Sequence, residues 1–99
     1  MPKAVVWSLL ADQDFDDILN YLASKWEPAV AEHFMELTFK LIQQISDRPK
    51  QFPLIYKRGK VRKCVISKHN SIIYREQHEE IEILRVFDTR QHPKKLRFK

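Results

Sequence analysis

Apolar residues in the first half of the chain recur every three or four positions, which is the spacing of an amphipathic helix. One such series runs over residues 11–26 and a second over residues 30–45. Pro28 is tolerated in a first helical turn, and Pro49 disfavours helical geometry at the residue before it, so these prolines bound the second helix. The pattern predicts two amphipathic helices that form an antiparallel helical hairpin.

The second half of the chain has the pattern of strands. Residues 61–67, 71–76 and 80–88 are rich in Val, Ile, Tyr and Phe, and short polar segments separate them. Because short turns join antiparallel neighbours, we expect these three strands to pair as a meander. We expect a further short strand at residues 5–8, ahead of the helices.

These elements predict one α+β domain over residues 1–99, in the order β-α-α-β-β-β. An antiparallel sheet, mixed at its N-terminal strand, should pack one face against the helical hairpin. A hydrophobic content of 43% is enough for one modest core. Strict alternation along the last strand would place Ile81, Ile83, Arg85 and Phe87 on the same face.

The numbers of cysteine, histidine and glycine residues limit which disulfides, metal sites and cofactor sites the chain can form. The single cysteine, Cys64, cannot form an internal disulfide, which is typical of the reducing cytoplasm. The four histidines lack the close pairing of a metal site, and one glycine makes no Gly-rich phosphate loop, so we expect no metal and no cofactor. No apolar run is long enough for a signal peptide or a membrane span, so we expect a cytoplasmic protein with no membrane partner.

Positive charge is concentrated in the second half of the chain. Residues 1–48 carry four Lys/Arg against eight Asp/Glu, whereas residues 49–99 carry fourteen against five. Within the second half, residues 57–63 hold five cations. This cluster attracts phosphate or an acidic partner on one interpretation, and protects an edge strand from pairing on the other.

Three segments and the order of the elements resemble the ParE/RelE superfamily of bacterial toxins. The segments are Val-Arg-Lys at residues 61–63, Ile-Ile-Tyr-Arg at residues 72–75, and Ile-Leu-Arg-Val-Phe-Asp-Thr-Arg-Gln-His-Pro at residues 83–93. The resemblance covers nearly the whole chain. It implies the toxin of a type II toxin–antitoxin system, with growth inhibition, plasmid stabilization and a cognate antitoxin that neutralises the toxin.

The antitoxin is expected to fill an exposed apolar groove, because a small helical hairpin cannot cover all of the apolar surface. Trp7, Trp26 and Phe34 are the candidate residues of that groove. Arg85 lies among apolar residues of a strand that we expect to be central, where an unpaired charge is costly. It either serves function or forms a structural salt bridge. Tyr56 and Tyr74 are expected to pack with their hydroxyls at the surface.

The superfamily contains two mechanisms. ParE-like members poison DNA gyrase, whereas RelE-like members are ribosome-dependent endoribonucleases that cut mRNA. Metal-free RNA cleavage needs a base, an acid and cations that hold the phosphate. By the resemblance, a RelE catalytic arginine would fall near Ser71, and no tyrosine follows Arg90. His92 would then be a substitute acid.

This incomplete set favours a gyrase inhibitor, and the nuclease alternative would use Arg62, Arg85, Arg90 and His92. A toxin fold that only binds its antitoxin is a third alternative. For target contact the basic residues of the second half are the candidates, namely Arg58, Arg62, Lys63, Arg90, His92, Lys94 and Lys95.

Overall fold

The computed structural model describes residues 2–89. The helices and strands, in chain order, are β1 Ala4–Trp7, α1 Leu9–Lys25, α2 Pro28–Asp47, β2 Leu54–Tyr56, β3 Val61–Val65, β4 Asn70–Glu76 and β5 Glu80–Asp88. Short 3-10 turns at Pro49–Gln51 and Arg58–Lys60 flank β2. The predicted α+β fold is confirmed, and β2 is an additional strand that the sequence pattern did not indicate.

The five strands form one sheet in the order β1-β5-β4-β3-β2. β1 runs parallel to β5, and all other neighbours are antiparallel. The helical hairpin carries the chain away from β1, and the meander then returns it to the strand beside β1. This topology confirms the antiparallel sheet that is mixed at its N-terminal strand.

Ser8 joins the sheet to the helical hairpin. β1 ends at Trp7 rather than at the predicted residue 8, because the Ser8 hydroxyl accepts a hydrogen bond from the Ala11 amide at 3.0 Å and so caps α1. The same hydroxyl donates to the Leu84 carbonyl of β5 at 2.8 Å. One side chain therefore fixes the start of α1 against β5.

A bulge interrupts the alternation in β5. Ile73 of β4 lies opposite Arg85, but the next residue, Tyr74, lies opposite Ile83, so Leu84 is the extra residue. The prediction that Arg85 continues the face of Ile83 is therefore wrong. The core residue beyond the bulge is Val86, which is 1% exposed.

The core lies between the helical hairpin and one face of the sheet. Its buried members come from α1, α2, β3, β4 and β5, together with Ile66 after β3, and they are Ala11, Phe15, Ile18, Leu22, Ala31, Phe34, Ile42, Ile45, Cys64, Ile66, Ile72, Tyr74, Ile81, Ile83 and Val86. Burial of these apolar side chains is the main force that holds the hairpin on the sheet.

Candidate functional site

Arg62 and Tyr74, which lie opposite each other on β3 and β4, hold the turn that follows α2. The Arg62 guanidinium donates to the carbonyl of Phe52 at 2.7 Å and to that of Lys50 at 3.3 Å. The Tyr74 hydroxyl donates to the Pro49 carbonyl at 2.6 Å. Both side chains satisfy backbone acceptors of a segment without regular ladder bonds, so they stabilise the fold.

Tyr74 is fully buried, so the expectation of a hydroxyl at the surface is wrong for this residue. Burial raises the pKa of Tyr74, because the phenolate would lose its hydration. A hydroxyl in this state is a poor proton donor to a reaction near neutral pH. Tyr56, on β2, is 44% exposed.

Arg85 forms a salt bridge with Asp14 of α1. Its Nε and Nη2 atoms donate to the two Asp14 carboxylate oxygens at 2.7 and 2.9 Å, and these hydrogen bonds raise the pKa of Arg85. Asp14 also accepts from the Val86 amide at 3.1 Å. β1 ends opposite Ile83, so Asp14 serves as a hydrogen-bond partner for the β5 edge that β1 leaves open. Of the two alternatives for Arg85, the structure has the salt bridge.

Ser71 and Cys64 are buried in the middle of the sheet. Ser71, near which the resemblance would place a RelE catalytic arginine, is 8% exposed and lies between Val65 and Phe87. Cys64 is fully buried, and burial raises its pKa to about 11. Its thiol is therefore un-ionised at neutral pH and does not serve as a nucleophile.

The basic cluster at residues 57–63 is divided by the structure. Arg58 is exposed on the 3-10 turn, Lys63 is half-buried on β3, and Arg62 points to the backbone carbonyls described above. β2 pairs with the first half of β3, so this part of β3 is not the edge strand that the cations would protect. The other predicted target-binding residues, Arg90, His92, Lys94 and Lys95, lie outside the described residues.

The predicted antitoxin-binding residues lie in different environments. The Trp7 ring is 5.3 Å from that of Phe15, and Phe15 is 6.1 Å from Phe34, which is 7% exposed. Trp26 is 64% exposed and follows α1, whereas Trp7 precedes it. A helix of 17 residues separates the two tryptophans by about 25 Å. The structure therefore does not bring the three residues together, and their role stays a prediction.

An exposed apolar surface at the start of α1 is a feature that the sequence pattern did not predict. Leu9 is 88% exposed, Leu10 is 55% exposed, and Val6 of the neighbouring strand is 44% exposed. The sequence contained a signal, because both leucines stand outside the helical series that begins at Ala11. We call Leu9 and Leu10 the N-terminal apolar surface.

Within residues 2–89, neither helix combines the length and the apolarity that a membrane span requires.

Comparisons with known proteins agree with this fold. The sequence matches the family model described as ParE toxin of type II toxin–antitoxin system, parDE, over residues 5–93. No curated protein sequence matches the chain. Among solved structures, the chain is similar to one from the chromosomal ParDE toxin–antitoxin system of P. aeruginosa, with a TM-score of 0.74 and 19% identity over 87% of this chain and 95% of that chain.

Two further structures have the same fold. One belongs to the RelBE2 toxin–antitoxin complex of Mycobacterium tuberculosis, with a TM-score of 0.58 and 21% identity over 89% of this chain and 99% of that chain. The other is the YoeB/ParE toxin from Agrobacterium tumefaciens, with a TM-score of 0.62 and 14% identity over 86% of this chain and 96% of that chain. Because the family model covers most of its length, the chain belongs to the ParE toxin family of type II toxin–antitoxin systems, within the RelE/ParE superfamily.

Proposed function

We propose that this toxin inhibits DNA gyrase, as ParE-like toxins do, and that it does not cleave RNA itself. Growth inhibition and plasmid stabilization in the cytoplasm are parts of the same proposal. The observation that carries it is the state of two arginines on the sheet, Arg62 and Arg85. Both belong to the set that the nuclease alternative would need to hold a phosphate, and both are held in contacts within the fold.

Arg85 is the clearer of the two. Its guanidinium is fixed by both oxygens of Asp14, so a phosphate would have to displace a carboxylate that also accepts from the backbone of β5. Bidentate pairs of this kind are among the strong hydrogen bonds in proteins. Loss of one contact to the charge that develops in a transition state typically lowers a rate by about 10²–10³.

The second arginine leads to the same proposal. Arg62 donates to Phe52 and Lys50, and these bonds keep the turn after α2 in place. Recruiting Arg62 to a substrate would remove the donor from both carbonyls, of which that of Phe52 is in a partly buried hydrogen bond. A surface that binds a protein target needs neither arginine to leave its place.

The cognate antitoxin is the second partner that we propose. The chain is similar to one from the ParDE toxin–antitoxin system of P. aeruginosa, and an apolar segment of an antitoxin would cover the N-terminal apolar surface. Leu9 and Leu10 expose large side chains beside each other, which is unfavourable unless a partner removes them from water. The variant Leu9→Ser/Leu10→Ser should lose copurification with the antitoxin, and Val65→Ser, on a 60% exposed residue of β3, is the control that should keep it.

Primer extension on mRNA from cells that express the toxin tests the gyrase proposal against the nuclease alternative. We expect transcripts without new ends, because Arg62 and Arg85 are engaged. Cuts within codons that disappear in the His92→Ala variant would instead make the chain a ribosome-dependent mRNA endoribonuclease. The assay requires that expression of the toxin arrests growth. If expression does not arrest growth, both mechanisms are contradicted, and a protein that only binds its antitoxin is favoured.

A further inference from the structure

A basic depression lies beside the end of β4. Its volume is about 280 Å³, and the described residues that line it are Lys3, Lys50, Lys60, Glu76, Gln77 and His78. They come from the start of the chain, the two 3-10 turns, the last residue of β4 and the β4–β5 turn. Three lysines from three separate segments thus line the same depression as one carboxylate, that of Glu76.

Lys3 belongs to the framework of the depression. Its ammonium group contacts the Glu76 carboxylate at 2.8 Å and donates to the carbonyls of Gln77 and His78 at 3.0 and 3.2 Å. All three donor positions of an ammonium group are therefore used. Lys3 fixes the β4–β5 turn and offsets the charge of Glu76.

The remaining charge of the depression is positive. The pKa of Glu76 is lowered, first by its hydrogen bond with Lys3 and further by the charges of Lys3, Lys50 and Arg62. Glu76 is therefore ionised at neutral pH and is neutralised by Lys3. Lys50 and Lys60 are exposed and form no ion pair within residues 2–89, so these two cations are not compensated there.

Lys60 has a backbone conformation that is strained for a residue with a side chain. Its φ is 54°, in the left-handed region, directly after Gly59 with a φ of 76°. This region is disfavoured for residues with a side chain, and glycine or asparagine would occupy it at lower cost. Strain of this kind is concentrated at functional sites, so the cost of a lysine at this turn points to a use for its ammonium group.

We propose that the depression binds the phosphate groups of a polynucleotide backbone, with Lys50 and Lys60 as the contacting cations. Ammonium groups bind phosphate as point charges. Exposed Lys57 and Arg58 continue the positive surface from Lys60 along the 3-10 turn, which suits a ligand with repeated phosphates better than a single anion. His78 is exposed at the rim and supplies a further donor. This site goes beyond gyrase inhibition and does not depend on it.

The test measures the affinity of the purified full chain for a fluorescently labelled DNA duplex as salt is varied. The variant Lys50→Gln/Lys60→Asn removes both cations, and asparagine tolerates the backbone of residue 60, so its melting temperature should not fall. The control variant Lys25→Gln/Lys40→Gln removes the same charge from exposed positions of α1 and α2.

The affinity for the duplex falls as salt rises, and the loss of two phosphate contacts should make this slope of log affinity against log salt less steep by about 1.8. Near 0.1 M salt the variant should therefore bind the duplex up to about 60-fold more weakly. The control should keep the slope of the unmodified chain. The variant Glu76→Gln should bind the duplex more tightly, because it removes the one negative charge of the depression. This gain cannot arise from a damaged fold.

Three results would overturn the proposal. The first is equal affinity and slope for the site variant and the control. The second concerns inorganic phosphate, whose binding near His78 and Gln77 can be followed by NMR. If the chain binds the duplex no more tightly than it binds inorganic phosphate, the depression is a site for a free anion. The third is a competition result. If polyglutamate of equal charge displaces the labelled duplex at the same concentration as unlabelled DNA does, the partner is an acidic protein.

Discussion

Replacement of Asp14 by alanine should destabilise this toxin more than replacement of any other acid on α1. Asp14 accepts three hydrogen bonds, two from Arg85 and one from the Val86 amide, and its side chain is only 14% exposed. Asp14→Ala leaves the Arg85 guanidinium, which is 22% exposed, without its partner and leaves a backbone donor at the β5 edge unsatisfied.

The magnitude follows from these two losses. Removal of one partner of a buried ion pair costs about 3–5 kcal/mol, and an unsatisfied backbone donor costs about 1–3 kcal/mol. Water reaches part of both side chains and screens the charge that remains, so we expect a total of about 2–4 kcal/mol. A domain of this size has about 5–15 kcal/mol of stability in all, and the melting temperature should fall by roughly 10–25 °C.

Urea unfolding and thermal melting measure this change, with Asp16→Ala as the matched control. Asp16 is exposed on the same helix, so its replacement alters charge and helix propensity equally but should change stability by less than about 0.5 kcal/mol. Adding Arg85→Met to Asp14→Ala should recover part of the loss, because the unpaired guanidinium is then gone. Equal stability of the Asp14→Ala and Asp16→Ala variants would refute the account of this salt bridge.

Three further predictions concern single side chains. Tyr74→Phe should cost about 1–2 kcal/mol in urea unfolding, because the Pro49 carbonyl loses its donor; an unchanged midpoint would show that the hydrogen bond is not needed. Because its pKa is lowered in the folded state, Glu76 should stabilise the fold above its ordinary pKa and lose that effect as the pH falls through the lowered value. The stability difference between the unmodified chain and Glu76→Gln should therefore be larger at pH 7 than at pH 3, and a constant difference would contradict this origin. Cys64 should resist thiol reagents near pH 8 until the chain unfolds, since it is buried and its pKa is about 11; rapid native labelling would show local opening of the sheet.

The helices could be predicted from the sequence because their apolar positions keep the helical spacing over many turns. α1 and α2 follow those series closely, and Pro28 does begin α2. β2 could not be predicted, since Leu54–Tyr56 is three residues long, directly follows Pro53 and shows no alternation of burial. Its pairing with β3 arises from contacts that no local pattern encodes.

The bulge at Leu84 and the places of the arginines have causes that lie far away in the sequence. β5 bulges beyond the point where β1 ends, and Asp14, 71 positions before Arg85, holds the strand there. The sequence indicated that Arg62 is an exposed surface cation, but its guanidinium donates to backbone carbonyls of the turn after α2. No sequence pattern marks that turn. Charge density in the sequence therefore did not distinguish the exposed cations from those that hold the fold.

The most direct test of the central claim is a supercoiling assay with purified DNA gyrase, relaxed plasmid and increasing amounts of the toxin. We expect that supercoiling is inhibited or that linear, cleaved plasmid accumulates, and that the cognate antitoxin restores normal activity. Full supercoiling at a large excess of a folded toxin that still arrests growth would contradict the claim and place the target elsewhere.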